Sequence, residues 1–159
     1  MEKMFTLEDA KSFLAGQKTL AGKKWEADLQ TALVKNKFLP DLNLTGSVFK
    51  TTTFKFKIDE FDDSNHKKIT DFYLPIFNHL IESKESISDS TEQGLAFSIK
   101  SLIDYKEYGD DFQFIVLVKQ KPSPAMFKRL EKRAIAYSKN FKIYYGEGGI
   151  AQYVQYLKT

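Results

Sequence analysis

The apolar positions along the chain change period several times, and each change marks an element. In "FTLEDAKSFLAG" and then "GKKWEADLQTALVKNK" they recur every three to four residues, with Trp25, Leu29, Ala32 and Leu33 on one stripe. Two helices are expected, the first with Thr6 near its cap and Gly16 at its end, and Pro40 marks the break after the second. From Val48 to Ile58 the period falls to two, because Val48, Thr52, Phe54, Phe56 and Ile58 share one face of an extended chain. "DEFDDSNHKK" follows as a polar turn. "TDFYLPIFNHLIESK" supplies two further strands around Pro75–Asn78, and Leu95, Ile99, Leu102 and Ile103 restore helical spacing up to Gly109. "DFQFIVLVKQ" is an unbroken apolar run of strand length, as in a strand buried on both faces. Ser123 and Pro124 open another helix, "FKIYY" is a last strand, and Ile150, Val154 and Leu157 form the stripe of a closing helix after a glycine-rich turn. The order helix, three meandering strands, helix, strand, helix, strand, helix gives an α/β (α+β) fold: a mixed central sheet flanked by helices.

The hairpin carries charge where strands of this kind carry little. With a four-residue loop at Pro75–Asn78, facing residues have numbers that sum to 153, so Asp71 stands opposite Glu82. Like charges in directly opposed positions destabilise an antiparallel pair. Lys84, two residues beyond Glu82, projects from the same face and can offset the repulsion. Two carboxylates converging there make a hard oxygen site suited to magnesium, which takes one or two protein carboxylates and fills its shell with water and phosphate. The plain alternative is a solvated pair with Lys84 in a surface salt bridge. Phe72, Leu74, Leu80 and Ile81 argue for central strands instead.

Asp71, ten intervening residues and Glu82-Ser83-Lys84 resemble the PD-(D/E)XK nuclease signature, an aspartate on one strand and Glu-x-Lys on the next. The order of elements is similar to that restriction-endonuclease-like fold, with its αβββαβ core. Phage-type Holliday-junction resolvases resemble the chain most, through an "SNH"-like turn, a strand and a "DF-LP" stretch before Glu-x-Lys. The close match covers about fifteen residues, and the element order extends it loosely from Glu26 to Leu157. Thr70 stands where the family carries a proline. The resemblance implies a Mg2+-dependent endodeoxyribonuclease, with Mn2+ able to substitute, that leaves a 5′-phosphate. Asp71 and Glu82 would hold the metal with the Ser83 carbonyl, Lys84 would orient or deprotonate the attacking water, and Glu26 is the candidate for the extra helix glutamate some members add. Gln93 is a candidate auxiliary residue, although Ser90-Thr91-Glu92-Gln93 also reads as a capping box.

Composition narrows the classes. At 159 residues and 42% hydrophobic the chain builds one core, so one domain over 1–159 is expected, with residues 1–20 a helical extension of the core at 21–159. The absence of cysteine excludes disulfides, thiolate nucleophiles and Cys-based zinc sites. The N-terminus carries acids and no window approaches about 18 consecutive apolar residues, so no signal peptide, no membrane span and a cytoplasmic setting are expected, and the resemblance implies a prokaryotic or phage-like one. The net charge of +3 diagnoses nothing, but Lys119 to Lys142 holds eight basic residues against the single acid Glu131. Lys119, Lys121, Lys128, Arg129, Lys132 and Arg133, with Lys67 and Lys68, are the candidate DNA contacts.

His66 and His79 are too few for a histidine metal site, and "YGEGGI" lacks the lysine and hydroxyl of a P-loop. One active site per chain predicts a homodimer or higher symmetric oligomer for cutting two strands. The sequence leaves open restriction, homing, junction-resolving and repair or defence roles. It also leaves two other classes: a non-catalytic DNA-binding module that retains the fold, and a structural or immunity-type protein with a coincidental motif.

Overall fold

The computed structural model describes residues 20–39, 52–56, 66–105 and 108–159, with the side chains of 52–56, 66–69 and 105 excepted. The expected first helix at Thr6–Gly16, the Pro40 break, the outer ends of the 48–58 strand and most of the polar turn lie outside them. The described elements are α1 (Leu20–Lys35), β1 (Thr52–Phe56), β2 (His66–Thr70), β3 (Phe72–Leu74), β4 (His79–Lys84), α2 (Asp89–Tyr105), β5 (Gln113–Val118), α3 (Pro124–Ala136), β6 (Phe141–Tyr145) and α4 (Gly146–Leu157).

Strands β3-β4-β5-β6 form a mixed sheet in that order, antiparallel at β3–β4 and parallel from β4 to β6. β1 and β2 form a separate antiparallel ribbon. Two sequence expectations change here. His66–Lys68 belong to a strand rather than a polar turn, since Phe56, Lys55 and Phe54 pair with His66, Lys67 and Lys68 in turn. Backbone pairing in a two-stranded ribbon needs no apolar face, so composition concealed it. The first hairpin arm is also two strands: the chain bends at Asp71, leaves the ribbon and joins the main sheet.

Alternation on the central strands sorts side chains into two cores. Phe72, Leu74, Ile81, Ile115 and Leu117 pack against Trp25, Leu29 and Leu33 of α1 and Tyr153 and Leu157 of α4. Leu80, Phe114, Val116 and Val118 pack on the other face against Leu95, Ile99 and Leu102 of α2, with Ala134 of α3 at the margin. Every residue from Phe114 to Val118 is therefore buried, on alternating faces, as the unbroken apolar run of β5 predicts. Trp25 also donates its indole N–H to the Leu117 carbonyl at 3.0 Å, tying α1 to the sheet centre.

Local chemistry ends the elements. Lys37, at φ 65°, terminates α1 with Phe38 N–H on the Leu33 carbonyl and Lys37 N–H on the Val34 carbonyl, a Schellman arrangement in which lysine stands where glycine is usual. Asn78, at φ 55°, closes the β3–β4 turn. Its side chain donates to the Tyr108 carbonyl and to Asp111 and accepts from the Tyr73 hydroxyl, so the turn is fixed to the loop before β5. α3 starts as expected, with Ser123 Oγ accepting from Met126 N–H and Pro124 in the first turn. For α2 the expected box shifts: Ser88, not Ser90, caps the helix, its Oγ accepting from Thr91 N–H at 3.3 Å. Gly146, at φ 71°, lets β6 turn directly into α4.

Candidate functional site

The hairpin register is the one that loop length implied: Phe72 faces Ile81, Tyr73 faces Leu80 and Leu74 faces His79. Continued by one residue, it sets Asp71 opposite Glu82. Asp71 is the bend itself. Its N–H donates to the Ile81 carbonyl at 3.0 Å, while the preceding Thr70, fully buried, donates its hydroxyl to the Phe72 carbonyl at 3.3 Å. This hydroxyl bond ties the residues on either side of the bend together.

Because β2 departs at this bend, no strand among the described residues runs beside Ser83 on that side to accept its backbone N–H. The Asp71 carboxylate takes that place: Oδ2 accepts from Ser83 N–H at 2.7 Å and from Ser83 Oγ at 3.1 Å. The N–H and carbonyl of one strand residue leave on the same side. The Ser83 carbonyl therefore also faces the Asp71 side, whereas the Lys84 carbonyl faces β5, where it accepts from Lys119 N–H.

Glu82 is only 3% exposed. It lies on the α2/α3 face with Leu80, and Lys84 follows on the same face with its Nζ 3.6 Å from Glu82 Oε2. Burial of a carboxylate costs several kcal/mol unless it is compensated (about 3–5 kcal/mol when one partner of a buried pair is removed), so a solvated surface pair does not describe Glu82. The partly exposed ammonium gives the site an open side. Asp71, Glu82 and the Ser83 carbonyl offer hard oxygen atoms of the kind magnesium takes, and the Asp71 carboxylate is engaged by Ser83 N–H and Oγ. Among the described residues no group of three or more His, Cys, Asp or Glu converges as a metal cage.

The other expected residues divide. Lys119 and Lys121 follow β5 at the carboxyl end of the parallel strands, the end where Glu82 and Lys84 lie and where open α/β sheets place ligands. Gln120 reinforces this juncture through Glu85, to which its Nε2 donates at 2.7 Å. Lys121 Nζ rests 4.7 Å over the Phe127 ring. Lys128 and Lys132 are exposed on α3. Arg129 and Arg133 are engaged within the protein: Arg129 Nε lies 3.1 Å from both oxygens of Glu92 and its Nη2 3.3 Å from Asp89, and Arg133 Nε lies 3.8 Å from Glu92. Gln93 is exposed, and Glu26 stands on α1, which packs on the opposite face from Glu82 and Lys84. Lys67 and Lys68 are in β2.

Sequence reasoning missed Glu92, 7% exposed and the anchor of both arginines. Its only signal is an acid in the first turn of a helix, which capping and the helix dipole already account for. His79 is buried with its Nδ1 2.9 Å from the Tyr153 hydroxyl and its ring stacked on Tyr156. Burial, assisted by the Lys142 charge, pushes its pKa down to about 4. The groove of about 730 Å³ between α1 and α4, lined by Lys24, Asp28, Asn36, Glu147 and Lys158 among others, includes none of the candidate catalytic residues. Comparison of the chain with family models, curated proteins and solved structures finds no match.

Proposed function

We propose that this chain is a magnesium-dependent endodeoxyribonuclease with a restriction-endonuclease-like core. The observation that carries the reading is a buried Glu82 on a central strand, with Lys84 beside it and Asp71 across the register, at the carboxyl end of the parallel strands. Asp71, Glu82 and the Ser83 carbonyl would hold Mg2+, or Mn2+ in its place. When bound, the ion activates water and stabilises the charge that grows on the phosphoryl group. Lys84 then holds a water or phosphate oxygen with its ammonium, its charge balanced by Glu82. Ser83 keeps the Asp71 carboxylate oriented through two donors. Lys119, Lys121, Lys128 and Lys132 neutralise DNA phosphates, and two copies of the chain together cut two strands.

The test is incubation of supercoiled plasmid and of a four-way junction with the protein in magnesium, with EDTA and with the Glu82→Ala and Lys84→Ala variants. Expected is metal-dependent cutting that both substitutions abolish while DNA binding persists; cutting by the variants overturns the reading. A second reading, a non-catalytic DNA-binding module, draws on the same two hydrogen bonds, since Asp71 then serves only as a clasp for β4. It predicts DNA affinity at low salt with no cleavage of either substrate.

A further inference from the structure

The two edges of the main sheet are built differently. β3 is three residues long, closed by Pro75 at one end and bent away at Asp71 at the other. β6 has five residues, contains neither proline nor glycine, and keeps regular register with β5 throughout. Natural sheets usually blunt such an edge with a short strand, lysine, proline, a bulge or a covering element, and of these β6 carries a single lysine, Lys142.

Which backbone groups β6 presents outward follows from one bond. Phe114 N–H donates to the Asn140 carbonyl at 2.7 Å, so Asn140, Lys142 and Tyr144 direct their backbone groups toward β5, and Phe141, Ile143 and Tyr145 direct theirs away from it. Two of the outward groups are used: Phe141 N–H donates to the Tyr137 carbonyl, and Tyr145, the N-cap of α4, uses its carbonyl for the first turn of that helix. Among the described residues, what remains to be paired on this edge is the Phe141 carbonyl, both groups of Ile143 and the Tyr145 N–H.

That set is self-complementary. An antiparallel pairing of β6 with another β6 about a two-fold axis at Ile143 makes two bonds between the Ile143 residues and one from each Tyr145 N–H to the Phe141 carbonyl of the second copy. The bonds such a register would otherwise add are those whose donor and acceptor are both already occupied. The side chains agree as well. Lys142 faces a tyrosine, Tyr144 of the second copy, so no like charges oppose each other. Beside the edge lies a groove of about 250 Å³ lined by Glu131, Ala134, Ser138 and Ile143 among others.

We infer that β6 is the dimer interface of this protein, joining two copies into one continuous eight-stranded sheet with isologous symmetry. The inference stands on the edge geometry and is independent of the nuclease reading: plasmid cleavage reports one, molecular mass the other. The test is light scattering over a dilution series for the unaltered chain, Ile143→Pro and Lys142→Pro. Proline at 143 removes an outward N–H and is compatible with an edge strand, whereas proline at 142 removes a bond to β5. Expected is twice the mass of one chain for the unaltered protein, a folded monomer for Ile143→Pro and loss of folding for Lys142→Pro. A monomer at every concentration, or a dimer that survives Ile143→Pro, overturns the inference. Should Ile143→Pro not fold, amide exchange of the unaltered chain decides: slower exchange at Ile143 and Tyr145 as concentration rises supports the interface, and exchange independent of concentration overturns it.

Discussion

Asp71 has one task in the fold and a second in the proposed function, and substitution can divide them. As the acceptor for Ser83 N–H and Oγ it replaces a missing strand, and as an anion it would hold metal. Asp71→Ala leaves the N–H of a fully buried residue without its acceptor and is expected to cost about 1–3 kcal/mol in urea unfolding. Asp71→Asn keeps an acceptor oxygen, so its stability should stay close to that of the unaltered chain while cleavage is lost. His79 gives a second residue-scale expectation. Its pKa is about 6.5 in the unfolded chain and about 4 in the fold, so the unfolded state takes up the proton first as pH falls. The stability His79 contributes is therefore present above pH 6.5 and is lost as pH falls toward 4, up to about 3 kcal/mol. Denaturant midpoints measured from pH 7.5 to 4 should fall in the unaltered chain and fall less in His79→Phe. Neither task of Asp71 was legible in full from the sequence: the spacing of Asp71 and Glu82 implied the register, but only the bend of the ribbon explains what Asp71 holds.

At the scale of elements, the join between α2 and α3 rests on Glu92, which holds Arg129 through both oxygens and approaches Arg133. α2 begins five residues after β4, so this ion cluster ties the basic helix, which packs on β6, to the helix that follows the strand carrying Glu82 and Lys84. Glu92→Gln is expected to lower stability by about 1–2 kcal/mol, the arginines being partly solvated. It should also weaken DNA binding without changing the metal dependence of cleavage, as titration of each variant with duplex at fixed salt would show. The pattern of residues 128–133 announced a basic helix face. It did not say that Arg129 and Arg133 turn inward to an acid on another helix, because that partner is 37 residues away from Arg129 in sequence.

At the scale of the whole molecule, four lysines among the described residues gather where the parallel strands finish and along α3. Lys119 and Lys121 leave β5 beside Lys84, and Lys128 and Lys132 continue on the exposed face of α3. Replacing Lys128 and Lys132 with glutamine should weaken DNA binding uniformly across sequences and reduce the slope of log affinity against log salt by about 1 for each phosphate that is no longer neutralised. A slope unchanged by both substitutions would remove α3 from the interface. No helix among the described residues is long and apolar enough to cross a membrane.

What the sequence by itself determined is what local period and loop length encode: the helices at Trp25–Leu33 and Leu95–Ile103, the doubly buried β5, the hairpin at Pro75–Asn78 and, through it, the opposition of Asp71 and Glu82. These follow from spacing along the chain, since a side chain's face is fixed by its residue number once the element is known. Tertiary structure alone decided that the first hairpin arm divides between two sheets, that Ser83 is tied to Asp71, that Glu92 gathers the arginines and that the β6 edge is left with self-complementary backbone groups. Each depends on which element lies beside which, and backbone pairing and ion pairing between distant segments leave no periodic trace in the order of residues.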